Sequence, residues 1–340
     1  MRRTTGPRGQ YAPLAALCLS AVAVFGLPGQ ADAADRTADQ TAGPTAELHR
    51  PVVDAPGAQG DGASSRDDAL LAYWTPERIG RALAHEAART GGDRSVAAAV
   101  TAADDPADDG PPAVEGAHST AVGKLVFEHS NGKPDACTGT VINSDSEVLV
   151  LTAAHCLHEG GKYGTWTKNH VFYPGFHNGN IPHGAFTAWN IATSPRWSVG
   201  DKSDNAYDYG MIVANDNAAG ETPLEAAGGY PMANDMRTGE NVTVLGYSGP
   251  PYDGRHQEIC QDLVEPTVPP LNMWQVECAN MSPGSSGGPW LMNYDYETGQ
   301  GYIGGLNSVS DTQSFMASPR FGSDMQDFYA IMEQIGEARP

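Results

Sequence analysis

Two short motifs, and the order in which they occur, constrain this chain more than any other feature. One is Leu151-Thr152-Ala153-Ala154-His155-Cys156; the other is Gly284-Ser285-Ser286-Gly287-Gly288-Pro289. A serine in a glycine turn offers a hydroxyl whose neighbours carry no side chains, so a carbonyl can approach the backbone closely. A histidine at the end of an apolar run is a base held at the edge of a core. Together they suit nucleophilic attack: the imidazole takes the hydroxyl proton, the oxygen attacks a carbonyl, and turn N–H groups hold the oxyanion. The bland alternative for the glycine motif is a loop between two strands.

The glycine motif also matches G-x-S-x-G, the nucleophile elbow of α/β-hydrolases, where the acid and histidine follow the serine. Here no histidine follows Ser286, which weighs against an esterase or lipase of that type. The order must be His…Asp…Ser, the chymotrypsin order. Both motifs resemble the chymotrypsin/trypsin superfamily. TAAHC matches its histidine motif in full, and GSSGGP matches its serine motif except that Ser285 stands where Asp is usual. The resemblance spans roughly residues 117–340. Within it, Val122-Gly123-Lys124-Leu125-Val126-Phe127, Cys137-Thr138-Gly139-Thr140-Val141 and Tyr207-Asp208-Tyr209-Gly210 resemble the bacterial glutamyl endopeptidases and their secreted actinobacterial relatives.

The third member must be an Asp between these motifs: Asp201, Asp204, Asp208, Asp216, Asp235, Asp253 or Asp262. It has to be buried behind the imidazole, beside an apolar strand. Only Asp208 opens such a run, Tyr209-Gly210-Met211-Ile212-Val213, and the family pattern points to the same residue. Asp201 and Asp204 lie in a polar stretch that reads as a solvated turn. The structural alternative for Asp208 is a strand cap or surface group. The resemblance thus implies His155 as general base then acid, Asp208 as its orienting partner, Ser286 as nucleophile, and Gly284 and Ser286 N–H groups as the oxyanion hole. The activity implied is serine endopeptidase action on protein or peptide substrates, without cofactor or metal. The rival is a catalytically inactive binding module on the same fold.

Residues 1–33 read as a secretory signal peptide: a basic start with Arg2, Arg3 and Arg8, an apolar stretch over 14–27, and the small-x-small site Ala31-Asp32-Ala33. The apolar stretch is too short for a membrane span. Residues 34–115 are rich in Ala, Asp, Gly and Pro. Residues 101–112 hold four Asp, three Pro and no Lys or Arg, the composition of a solvated linker. One helix is expected in this stretch, with Thr75 as N-cap, Pro76 at the first helical position, and Ile79, Leu83 and Ala87 at helical spacing, preceded by Leu70, Leu71 and Trp74. We read 34–115 as a low-order propeptide with that one helix, and 116–340 as the protease domain. An extracellular monomer, free of the membrane after signal cleavage, is expected.

Acidic residues number 41 against 20 Lys and Arg, for a net charge of −21. That excludes the basic footprint nucleic acid or an anionic membrane requires. Removal of the leader takes Cys18 with it and leaves Cys137, Cys156, Cys260 and Cys278. An even number in an exported chain reads as disulfides. The resemblance pairs Cys137 with Cys156, leaving Cys260 with Cys278. A metal cluster of His155, Cys156, His158, His170 and His177 is a poorer reading, because no CxxC or HExxH spacing supports it.

From residue 121 the texture is short β-type runs between turn residues, fitting an all-β domain of two antiparallel barrels of the chymotrypsin type. Asn131-Gly132 marks a hairpin turn. The chain ends on a helix with Ser323 and Gln326 as a capping box and Phe328, Ile331, Met332 and Ile335 as its apolar face. The resemblance lays that helix on the second barrel. It puts His155 and Asp208 on one barrel and Ser286 on the other. Without a carboxylate at Ser285, the salt bridge that activates the animal enzymes cannot form. The specificity pocket should be walled by residues 280–285, including Asn280 and Met281, and by Asn307-Ser308-Val309-Ser310. Asn280 stands where trypsin-like cleavage needs Asp, and Asn307 where the glutamyl enzymes place His. An Arg or Lys preference is therefore not expected.

Overall fold

The apolar runs become strands and the Gly/Asn clusters become their turns. The computed structural model describes residues 46–56, 58, 63–89, 119–201, 204–249, 251–268, 271–310 and 315–340. All lie within one compact unit, Gly43–Pro340. The leader expected over 1–33 and the acidic linker over 101–112 lie outside the described residues.

The first half is a closed barrel of six antiparallel strands: β2 (Val122–Glu128), β3 (Pro134–Val141), β4 (Leu149–Thr152), β5 (Lys168–Pro174), β6 (Phe186–Thr193) and β7 (Gly210–Ala214). Their order is β6-β5-β2-β3-β4-β7, and pairing of β6 with β7 closes the ring. The Asn131-Gly132 turn joins β2 to β3, with Gly132 at φ +80° and its N–H on the His129 carbonyl. Leu125, Leu151, Phe172, Ile191 and Met211 are fully buried in this half.

The second half comprises two four-stranded antiparallel sheets. One runs β13-β12-β8-β9, from β8 (Asn241–Gly246), β9 (Glu258–Leu263), β12 (Pro289–Asp295) and β13 (Gln300–Leu306). The other runs β10-β11-β15-β14, from β10 (Glu265–Pro266), β11 (Trp274–Val276), β14 (Val309–Ser310) and β15 (Met316–Ser318). A second core of Val244, Val264, Val276, Met281, Trp290 and Met316 fills this half.

Three features differ from the sequence expectation. First, the segment before the barrel holds two helices rather than one, α1 (Ala63–Tyr73) and α2 (Pro76–Arg89), preceded by a strand β1 (Glu47–His49). β1 pairs with β6 at Ile191–Thr193, beyond the point where β5 leaves that edge. The segment buries Ala55, Leu70, Trp74, Ala82 and Leu83. Its polar groups reach the barrel as well: the Trp74 indole N–H donates to the Asn169 carbonyl (2.7 Å), and Arg78 pairs with Glu128 (3.3 Å). Apolar residues of α1 were visible in the sequence, but its small and charged remainder masked the period. Second, the C-terminal helix Ser323–Glu337 lies on β4 and β7 of the first barrel, not on the second. Phe328 meets Tyr209, Gly336 sits against Ser146 and Val148, and Arg339 bonds the Ala214 carbonyl (3.0 Å). Third, the capping box is absent. Gly322 is the N-cap, with no side-chain bond, and Ser323 is already inside the helix.

Candidate active site

The end of β4 delivers the histidine. After Thr152 the chain enters a 3-10 turn, Ala154–Cys156, whose central residue is His155. A disulfide from Cys156 to Cys137 on β3 ties this turn to the neighbouring strand. Asp208 follows the 3-10 turn Asn205–Tyr207 and immediately precedes Tyr209 and β7, the strand that pairs with β4. Register therefore brings the two residues together: Thr152 lies opposite Gly210.

Their contact is bidentate. Asp208 Oδ1 accepts the His155 backbone N–H (2.8 Å), and Oδ2 lies 2.7 Å from His155 Nδ1. The Ser308 hydroxyl donates to the same Oδ2 (2.6 Å). Asp208 is 0% exposed, whereas the His155 side chain keeps 20% exposure. Burial pushes the Asp208 carboxyl pKa up, but the His155 charge and the hydrogen bonds from His155 and Ser308 outweigh it. The net pKa lies below the usual carboxylate value. A buried anion fixed on Nδ1 leaves Nε2 as the nitrogen that can accept a proton.

Five of the six other Asp candidates are occupied elsewhere. Asp204 caps its turn and meets Arg196, Asp201 meets Lys162 in solvent, and Asp216 meets Arg339. Asp253 pairs with His256, and Asp262 accepts the Glu277 N–H.

The serine turn precedes β12 and is moored to the barrel near His155. Thr138, next to Cys137, donates its N–H to the Ser286 carbonyl (2.8 Å) and its hydroxyl to the Gly284 carbonyl (2.8 Å). The glycines are required by proximity. At Gly287, with φ +85°, a Cβ would stand 2.3 Å from the Thr138 carbonyl and 2.9 Å from the Ala153 nitrogen; at Gly288 it would stand 2.0 Å from the Leu245 carbonyl. The N–H groups of Ser285, Gly287 and Gly288 are bonded to Ser282, Asn307 and Ser285 carbonyls. Those of Gly284 and Ser286 carry no bond among the described residues. Ser285 is fully buried, its hydroxyl unpartnered among the described residues.

Of the expected pocket residues, Asn280 donates to the Ile259 carbonyl (2.9 Å) and accepts from Ser248 (2.6 Å). Asn307 is fully buried, its amide hydrogens on the Leu245 and Ser285 carbonyls (both 3.1 Å) and its oxygen on the Trp290 indole (2.9 Å). Val309 and Ser310 form β14. Ser308 does more than line a wall, because its hydroxyl holds Asp208. The sequence carries no local signal for that bond, which depends on a contact across 100 residues. The second disulfide, Cys260–Cys278, links β9 to the loop before the serine turn. Cys137, His155 and Cys156 come within ligating distance of one another, but both sulfurs are committed to the first disulfide.

The trypsin-like peptidase domain family matches residues 137–297. The fold resembles a thermostable serine protease, AL20, from an extremophilic microorganism, at 28% identity and TM-score 0.58 over 64% of this chain and 99% of that one. It resembles the protease Anisep from Arthrobacter nicotinovorans at 26% identity and TM-score 0.57, over 63% and 95% of the two chains. A Glu endopeptidase shares the fold at 17% identity and TM-score 0.52, over 67% and 98%. Among curated protein sequences, none matches.

Proposed function

Because the chain belongs to the chymotrypsin/trypsin-like superfamily and is a serine endopeptidase, we propose that it acts through His155, Asp208 and Ser286 by an acyl-enzyme route. The observation that carries this reading is the Asp208 carboxylate, buried and bonded twice to His155 at the foot of the Ser286 turn. His155 Nε2 takes the Ser286 hydroxyl proton as Oγ attacks the scissile carbonyl. The N–H groups of Gly284 and Ser286 receive the oxyanion, and imidazolium then protonates the leaving amine. Asp208 holds the ring in the tautomer that makes Nε2 the base and stabilises the imidazolium, without itself taking a proton. With no free donor on Asn307 and no acid at Asn280, neither a Glu nor an Arg/Lys preference is supported.

Export is part of the proposal. The leader pattern over 1–33 supports it, and so do the two disulfides, which persist in oxidising compartments. Among the described residues no helix is long and apolar enough to cross a membrane. Maturation is placed in the linker that joins α2 to the barrel, where Glu115-Gly116 offers the last Glu before the domain.

Ser286→Ala tests the catalytic reading. Turnover of casein should fall by several orders of magnitude, as triad losses do. Full activity in the variant would remove the reading. Wild type should label with a fluorophosphonate probe; a folded, processed protein that does not would be a binding module. Sequencing the N-termini of the secreted wild type and the variant separates self-cleavage, seen only in wild type, from cutting by another protease.

A further inference from the structure

We propose that the slot beside Ser286 is closed by two methionines, Met281 and Met316, so that the enzyme cleaves after small residues: Gly, Ala or Ser. This rests on the endopeptidase reading of the site. If the attacked carbonyl sits at Ser286 with its oxygen toward Gly284 and Ser286, the adjoining side chain must descend between two segments. One is the run 280–285 before the serine, the other Asn307 to Ser310.

Those segments are zipped together. Gly287 N–H donates to the Asn307 carbonyl (2.7 Å), Asn307 N–H to the Gly288 carbonyl (2.8 Å), and the Asn307 amide to the Ser285 carbonyl. Met281, on the first segment, crosses to the second: its sulfur lies 3.7 Å from Asn307 Nδ2. Ser310, on the second, is paired directly opposite Met316. Opposed residues of an antiparallel pair share a face, so Met316 stands beside Ser310. Met281 and Met316 are each only 2% exposed and join one apolar cluster with Trp290, Val276 and Cys278. A slot deep enough for an aromatic or long chain would leave its walls open to water; these walls touch each other instead.

Chemistry narrows the choice further. Both hydrogens of the Asn307 amide are engaged, so a substrate carboxylate finds no donor there. Asn280 gives its amide to the Ile259 carbonyl. Glu258 accepts a hydrogen bond from Asn280; burial raises its pKa, that hydrogen bond offsets this in part, and Asp253 adds to the rise. A carboxylate that already takes the Asn280 amide is committed there rather than to an incoming Arg or Lys. Small uncharged side chains need neither depth nor charge.

The test is a set of fluorogenic peptides that differ only in the residue before the scissile bond. For wild type, kcat/KM with Ala, Ser or Gly should exceed that with Phe, Glu or Arg at least tenfold. In Met281→Ala and Met316→Gly, the Phe-to-Ala ratio should rise about tenfold or more. A wild-type preference for Phe, Leu or Glu overturns the closed slot; a preference for Arg overturns it and points to Glu258. Ratios unchanged in both folded variants also overturn it. Should neither variant fold, the wild-type profile alone decides. Fluorophosphonate labelling separates the two levels: labelled wild type with a Phe preference sinks only the slot, whereas wild type that neither labels nor cleaves sinks the endopeptidase reading beneath it.

Discussion

The two halves of the molecule are held in different ways, and the difference matches what each contributes. The first half is a ring of six strands with no free edge along its ladder, clasped by β1, α1 and α2 on one side and by the C-terminal helix over β4 and β7. It supplies His155 and Asp208. The second half is two small sheets whose serine turn is anchored from outside, through Thr138, and from behind, through Asn307 and the Cys260–Cys278 bridge. It supplies Ser286 and the segments 280–285 and 307–310 that wall the proposed pocket. Proton transfer demands fixed geometry, and the proposed base and its carboxylate partner both sit on the closed element. The side chains proposed to set substrate choice lie on the other half, where they can be exchanged without reopening the barrel.

The largest expected effect tests whether Asp208 acts on the chemistry rather than on the fold. Asp208→Asn keeps the shape but presents an amide that favours the wrong imidazole tautomer. Turnover should fall by about 10⁴-fold, the scale known for this change in other triads. Far-UV circular dichroism should be unaltered. A loss under tenfold would mean that His155 is oriented by something else.

The next test breaks the clasp instead of the site. Trp74 is buried, and its indole N–H satisfies the Asn169 carbonyl. Asn169 in turn donates to Glu128 (2.8 Å), which also takes Arg78 and Tyr73. Trp74→Ala should destabilise the protein by about 3–5 kcal/mol, the usual cost of truncating a buried aromatic. It should leave kcat on casein within twofold at a temperature where the variant is folded. A Tm change below a degree or two would show that the N-terminal segment is not part of the folding unit.

These two cases show what the sequence made legible. The turns that hold His155 and Ser286 were readable because their neighbours are dictated locally: the glycines by close backbone approach, Ala153 and Ala154 by the tight turn. The burial of Asp208 beside His155 was readable because an apolar strand had to follow it. Ser308 on Asp208 and Met281 against Asn307 were not, since each joins segments whose register only the folded sheets set. The C-terminal helix was legible as a helix but not in its partner, because an apolar face specifies burial and not the surface that covers it. Likewise Ser323 and Gln326 satisfy a capping pattern that one residue of slippage removes.

A third comparison uses pH. His170, on β5, is fully buried against Phe127, its Nε2 at 2.7 Å from Thr167 Oγ1 and its Nδ1 unpartnered among the described residues. Burial, with the nearby His49 of β1 adding to it, holds its pKa at about 3, against 6.5 when unperturbed. The unfolded chain therefore binds this proton below pH 6.5 while the native chain does not, so stability is lost as pH falls from about 6.5 toward 3. Each unit of difference amounts to about 1.4 kcal/mol, or about 2 kcal/mol at pH 5. Asp208, whose pKa is also depressed, adds a loss in the same direction at still lower pH. His170→Phe should flatten the curve between pH 6.5 and 4; an unchanged slope in urea titrations would exclude His170 as the sensor.

The smallest effect sharpens the comparison inside the clasp itself. Thr75 precedes Pro76, and its hydroxyl accepts the Arg78 N–H at 3.3 Å while its carbonyl accepts the N–H groups of Arg78 and Ile79 (both 2.9 Å). The residue is exposed, so its replacement removes a cap and opens no cavity. Thr75→Ala should therefore cost about 1 kcal/mol, well below the loss at Trp74 on the preceding turn. Because α2 lies on β2 and β3, the cost should fall on α2 first. Hydrogen exchange of the α2 amides should quicken by about fivefold, while amides of β4 and β7, beneath the C-terminal helix, stay at the wild-type rate. If β4 and β7 quicken equally, the clasp and the barrel open together as one cooperative unit. If α2 alone responds, the N-terminal segment can lift from a barrel that still holds His155 and Asp208 in place.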